Sequence, residues 1–195
     1  SDVCSSDLAE FSAYRTLPGN WQRSLGVDIE GESQIDGFAP YWRVALQHSI
    51  NDHYFSLGTF GMSARVFPGR DRSMGGDRIT DVAVDANYQY VTDSHRFTLG
   101  TAFIHENQSL DASFKLGNSA NRSNTLNTFR MLATYHFDNT YGLSAQYFRT
   151  WGSTDTGLYQ PAALEGSANG SPNSSGYVVQ LDFTPFGKDG STLAP

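Results

Sequence analysis

The chain has 195 residues, with 20 acidic and 13 basic side chains, a net charge of −7 and 38% hydrophobic residues. That acidic excess carries no basic patch, which excludes the electrostatic footprint of a nucleic-acid binder. Mean hydropathy is negative and no apolar run approaches the ~20 residues of a membrane helix, which excludes helical spans but not strands, where only alternate residues meet lipid.

In chain order, Ser1-Asp2-Val3-Cys4-Ser5-Ser6-Asp7-Leu8 comes first. It is what TCAGACGTGTGCTCTTCCGATCT encodes, a string that resembles a common sequencing adapter. Residues 1–8 are therefore expected to be an adapter artefact, and residues 9–195 a piece of a β-barrel truncated at both ends. Without Cys4 the remainder has no cysteine, hence no disulfide and no thiolate ligand within it. At the other end Thr184-Pro185-Phe186-Gly187 reads as a turn towards a further strand.

Between these ends, hydrophobic alternation predicts strands at Trp21 to Glu30, Tyr41 to Ile50, Tyr54 to Val66, Asp81 to Tyr90, His95 to Glu106, Thr125 to Phe137, Tyr141 to Trp151 and Gly176 to Thr184. The clearest is Val82-Ala83-Val84-Asp85-Ala86-Asn87-Tyr88-Gln89-Tyr90, apolar at even numbers and polar or small at odd ones. Most segments reach the ~9–11 residues that cross a bilayer at a tilt. Tight turns at Asn51-Asp52-His53, Thr92-Asp93 and Asp138-Asn139-Thr140 alternate with long polar loops at Pro68 to Thr80, Asn107 to Asn124 and Gly152 to Ser175. Glu32 to Pro40 fits as another long loop. Short turns on one rim and long loops on the other are the habit of an outer-membrane barrel.

The chain has two lysines, Lys115 and Lys188, both outside these strands, whereas soluble sheets commonly blunt their edges with lysine. Register follows from pairing lipid-facing residues across each hairpin. Ile50 is expected opposite Tyr54, Phe137 opposite Tyr141, and a two-residue turn is expected to pass the apolar parity from Tyr88 and Tyr90 to Phe97 and Leu99.

The predicted lipid wall comprises Leu25, Val27, Ile29; Trp42, Val44, Leu46; Phe60, Met62, Ala64, Val66; Val82, Val84, Tyr88; Phe97, Leu99, Phe103; Phe129, Met131, Tyr135; Leu143, Tyr147; and Val179, Leu181, Phe183. Aromatic residues at strand ends, Trp21, Trp42, Tyr54, Tyr90, Phe137, Tyr141, Trp151 and Tyr177, suit the headgroup level. The predicted pore lining is Arg43, Arg65, Asp81, Asp85, Asn87, Gln89, Arg96, Glu106, Arg130, Gln146, Gln180 and Asp182, with Asp28, Glu30, Gln47, Thr59, Ser63, Thr98 and Thr134 beside them. If the lumen is open, their opposed charges bias which solutes pass.

Of the five histidines, His105-Glu106 near Asp85, and His136, allow a general base in principle. His53 and His95 follow turns, where an interfacial place is simpler. No nucleophile elbow and no metal-ligand spacing occurs, so neither a catalytic residue nor a metal or other cofactor is expected. The loop Arg70-Asp71-Arg72-Ser73-Met74-Gly75-Gly76-Asp77-Arg78 is neither a phosphate loop nor a calcium loop; it reads as a solvated outer loop, with an inward constriction as the alternative.

The segments Gly37-Phe38-Ala39-Pro40-Tyr41-Trp42-Arg43-Val44-Ala45-Leu46-Gln47-His48, Asp85-Ala86-Asn87-Tyr88-Gln89-Tyr90 and Gly166-Ser167-Ala168-Asn169-Gly170-Ser171-Pro172 resemble a poorly characterised family of porin-like outer-membrane barrels of Gram-negative bacteria. The resemblance covers nearly everything after Ala9 and transfers no catalytic residue. It implies lipid and lipopolysaccharide as partners and, because some members are encoded near multihaem cytochromes, a barrel that sheathes such a cytochrome.

The expected fold is thus all-β, a transmembrane antiparallel up-and-down β-barrel fragment of about eight strands. The expected role is a non-enzymatic porin-like channel or scaffold for small solutes in the outer membrane. The alternatives are the sheath of an electron conduit and, from another class, a soluble or secreted β-sandwich binding a partner through its loops.

Overall fold

Ten- to fifteen-residue strands dominate the chain, against a usual strand of about five or six. The structure, a computed structural model, describes residues 3–27, 33–159 and 169–185. Its elements are β1 (Val3–Tyr14), α1 (Gly19–Ser24), β2 (Gln34–Ile35), β3 (Ala39–Ile50), β4 (His53–Phe67), a 3-10 turn (Pro68–Arg70), β5 (Asp77–Val91), β6 (His95–Ser109), α2 (Asp111–Leu116), β7 (Ser123–Phe137), β8 (Tyr141–Gly152) and β9 (Ser174–Phe183).

They form one antiparallel sheet in the order β1-β3-β4-β5-β6-β7-β8-β9, with β2 paired to β4. Gln34 and Ile35 lie opposite Phe67 and Val66, so β2 prolongs the row of β3 past Pro40. The expected all-β, next-neighbour antiparallel architecture is therefore present. It is an open sheet: β1 and β9 are its two edges and do not pair with each other.

The tight turns follow from residues that accept a left-handed backbone: Asn51 has φ 50°, and Asp138 and Asn139 have φ 52° and 51°. Phe137 lies opposite Tyr141, as expected, and Tyr90 and Tyr88 face Phe97 and Leu99. The first hairpin differs. Ile50 pairs with His53, not Tyr54, around a two-residue turn, and a one-residue slip exchanges the faces of an entire strand. The expected assignment failed because β4 carries two opposed alternations: Phe55 and Leu57 at odd positions, then Phe60, Met62, Ala64 and Val66 at even ones. The short turn resolves the conflict in favour of the first, placing Leu57 opposite Leu46 and Ala86.

The first predicted strand is also corrected. Gly19–Ser24 forms a one-turn helix on Pro18, whose carbonyl accepts from the N–H groups of Trp21 and Gln22, and Leu25 and Val27 follow it, exposed. The edge of β3 that Trp21 to Glu30 would have joined is occupied by β1, from Val3 opposite Ile50 to Tyr14 opposite Ala39. Asp28, Ile29 and Glu30 lie outside the described residues. The segment read as adapter thus supplies half of an edge strand. It sits poorly there: Asp7, opposite Leu46, is the only carboxylate that register places on the apolar face of the described strands.

Residues paired across a sheet share a face, so register defines two. The apolar face holds Trp42, Val44, Leu46, Phe55, Leu57, Val82, Val84, Tyr88, Phe97, Leu99, Phe103, Phe129, Met131, Tyr135, Leu143, Tyr147, Val179, Leu181 and Phe183. Except in β4 and in the Leu25 to Ile29 segment, this is the predicted wall. Phe60, Met62, Ala64 and Val66 fall on the other face.

Burial runs opposite to that of a water-soluble sheet. Along β5, Val82 and Val84 are 49% and 51% exposed while Ala83 and Asp85 are 2% and 8% exposed. The buried apolar residues are mostly alanines, Ala39, Ala45, Ala64, Ala83 and Ala112, with Phe67 and Leu110. Among the described residues no second layer covers the large apolar side chains, which a soluble single-domain architecture requires.

Candidate functional site

The second face carries the charged and amide side chains, interspersed with Phe60, Ile104, Leu132, Phe148 and Val178. All predicted pore-lining residues share it except Arg65: Arg43, Asp81, Asp85, Asn87, Gln89, Arg96, Glu106, Arg130, Gln146, Gln180 and Asp182. Arg65 has apolar-face parity, as do Thr59 and Ser63, because the register of β4 is shifted. It stands at the loop rim, 3.8 Å from Asp36. Tyr54 likewise moves to the polar face, so it is not an interfacial aromatic of the apolar wall. Trp42, Tyr90, Phe137, Tyr141, Trp151 and Tyr177 are on the apolar face.

In mid-face, an Arg43 guanidinium nitrogen donates to Asp85 Oδ2 at 2.6 Å. Asn87 Nδ2 donates to the same oxygen at 3.4 Å. Gly58 makes room for the pair: a Cβ there would fall 2.7 Å from Asp85 Oδ1 and 3.2 Å from the Arg43 guanidinium. The Arg43 guanidinium also lies over the Phe60 ring, 5.8 Å from its centroid. A buried carboxylate is tolerated when paired in this way.

Towards the loops, Asp81 lies directly opposite Glu106, and Gln108 Nε2 donates to Glu106. Like charges in direct opposition destabilise a sheet. Among the described residues Arg43–Asp85 is the one ion pair of this face. Towards the turns, Arg96 opposes His136, and Asp182 accepts from Gln180 Nε2 at 2.7 Å.

Two long loops lean over the loop end of this face, each held by a buried aspartate. Asp77, 2% exposed, accepts from the N–H groups of Ala112 and Ser113 and from the Ser113 hydroxyl, anchoring α2. Asp155, 1% exposed, accepts from the N–H groups of Ala120, Asn121, Gly157 and Leu158, the Ser119 hydroxyl and Asn124 Nδ2. Burial alone would raise its pKa, but these donors outweigh burial and hold it well below the usual carboxylate range. Tyr159 is pushed up by its own burial and by the negative charge of Glu106, which places the loop after β8 beside that carboxylate. Sequence reading missed both anchors, since an isolated Asp in a Ser- and Asn-rich loop carries no signal of its partners.

The apolar face ends in two belts. At the turn rim, His53 shares a hydrogen bond with the Tyr88 hydroxyl at 2.9 Å and stacks on Tyr90, ring centroids 4.9 Å apart. His95 shares a hydrogen bond with the Tyr135 hydroxyl at 2.8 Å and meets the Phe137 ring at a tilt, centroids 5.2 Å apart. At the loop rim Phe103 meets Trp151 at 5.9 Å, and His105 bonds Asn127 at 2.7 Å. His95 and His105 share this face of β6, paired with Phe137 and Asn127. The ten residue steps between them are roughly 33 Å of strand, or roughly 25 Å of height at a tilt of about 40°.

His105 faces away from Asp85 and Glu106, so the general-base pairing considered above does not assemble. Among the described residues no group of three or more His, Cys, Asp or Glu side chains could hold a metal ion, and no helix is long and apolar enough to cross a membrane. Comparison with known proteins gave no match to any family model, curated protein or solved structure.

Proposed function

We propose that the chain is part of the wall of an outer-membrane β-barrel, its apolar face against lipid and its polar face lining a path for small solutes. The observation that carries this reading is the inverted burial of β5, valines out and aspartate in. Each large apolar side chain moved from water to hydrocarbon gains about 1.5–3 kcal/mol, so the exposed rows of this face represent a driving force that water alone leaves unused. The belts support the same reading: amphipathic His, Tyr and Trp rings bound a band about as tall as the ~25 Å apolar zone of such barrels. A polar face that carries charges of both signs, with long loops folded over one end, suits a channel or scaffold that passes solutes without transforming them.

Two experiments test it. The protein is expected to fractionate with outer membranes and to need detergent for solubility; recovery as a soluble monomer rejects the membrane reading in favour of a loop-binding β-domain. In planar bilayers a channel conducts. A membrane-inserted barrel that never does so points instead to a sheath around an electron-carrying partner.

A further inference from the structure

The Arg43–Asp85 pair does more than neutralise itself, because it fixes the neighbouring amide. Asn87 Nδ2 donates to Asp85 Oδ2, and an amide whose nitrogen faces a carboxylate must turn its oxygen the other way. That oxygen lies over Gly100 of β6, 3.1 Å from where a Cβ would stand. Gly100 faces Asn87 on one side and Leu132 on the other, and the next polar-face residue of β6, Ala102, faces Asp85 and Arg130. Two small residues therefore floor a trough between β5 and β7, roughly 10 Å across at ~4.8 Å per strand spacing. The cavity is about 420 Å³, and Arg130 and Gln146 line it opposite Asn87. Arg130 is exposed and is in neither of the ion pairs of the described residues.

We infer that this trough binds a small organic carboxylate bearing a hydroxyl, its carboxylate on the Arg130 guanidinium and its hydroxyl donating to Asn87 Oδ1. The charge of the lining selects the anion: of its three charged side chains Arg43 and Asp85 cancel, leaving Arg130. Guanidinium matches a carboxylate with two parallel hydrogen bonds, and the amide oxygen, held by its own donor bond, demands a donor from the ligand. Gln146, beyond Arg130, can serve either end. The inference rests on the proposed solute path and names the class of solute held on it.

Calorimetry on the full chain in detergent micelles reads the site whether or not the barrel conducts, so failure of the channel reading and failure of this one remain distinct. Lactate is expected to bind more tightly than propionate, which lacks the hydroxyl, and than alanine, whose ammonium opposes Arg130. Arg130→Gln should weaken lactate by about tenfold or more, the order expected for a charge-assisted pair. Asn87→Ala should bring lactate down to the level of propionate while leaving propionate unchanged. Ala102→Val, which fills the trough without altering charge, should weaken both. Equal binding of lactate and propionate, alanine binding as well as lactate, no binding of any, or an Arg130→Gln protein that binds as before would each overturn the inference.

Discussion

Leu57 of β4 lies directly opposite Leu46 of β3, side by side on the apolar face. This single pairing decides which half of β4 lies on the apolar face, the one proposed to meet lipid. Leu57→Arg is expected to cost about 2–4 kcal/mol, the range for a cation on the lipid face near the midplane, read as a fall in the urea midpoint of the folded protein in micelles. Met62→Arg, on the polar face, should cost less than half as much. The opposite ranking would restore the register in which Ile50 faces Tyr54.

Gly58 tests the mid-face ion pair. Its hydrogen occupies space that any larger group would take from Asp85 and Arg43. Gly58→Val should displace the carboxylate, leave a buried charge unpaired and cost about 3 kcal/mol. Gly37, whose Cβ would meet nothing within 4 Å but whose φ is 71°, should lose only about 1 kcal/mol on replacement by alanine. Equal losses at the two positions would mean that Gly58 serves the backbone and not the pair.

Asp155 predicts a pH dependence confined to the loops. Its folded pKa is depressed by the donors gathered around it, whereas an unfolded aspartate titrates near ~3.9. The stabilisation is therefore complete above about pH 5 and is lost as pH falls below about 4 towards the folded value. Protection of the Ala120, Asn121, Gly157 and Leu158 amides, measured against their intrinsic exchange rates, should fall there, while β5 and β6 stay protected. Asp155→Ala should give the same loss of protection at neutral pH, at about 2–4 kcal/mol of local stability, by orphaning those N–H groups. Uniform loss across sheet and loops would show that the loops are not pinned separately.

The faces of β5 to β9 were legible because their alternation is unbroken: Val82, Val84 and Tyr88 in one strand, Leu143 and Tyr147 in another, the latter reached from β7 through a turn whose Asp138 and Asn139 adopt positive φ. Where two alternations compete, as in β4, periodicity cannot choose, and turn length does. Leu25, Val27 and Ile29 mimic a strand, but Pro18 starts a helical turn and β1 has already taken the edge of β3. Partnerships made through space left no trace in the sequence: the trough over Gly100 and Ala102 needs three strands in register, and the Asp77 and Asp155 anchors join residues more than thirty positions apart. Asp7 is the converse case. Its segment continues β1 in backbone pairing, yet its side chain breaks the apolar row opposite Leu46.

The central claim is that valines of β5 face lipid while their neighbours face water. In a Cys4→Ser background, spin labels placed one at a time at Val82, Ala83, Val84 and Asp85 in bilayer-reconstituted protein report it directly. Labels at 82 and 84 should relax with lipid-dissolved oxygen and be shielded from a water-soluble nickel chelate, and labels at 83 and 85 should show the reverse. Equal access of the chelate to all four positions, or oxygen preference at 83 and 85, would contradict the account.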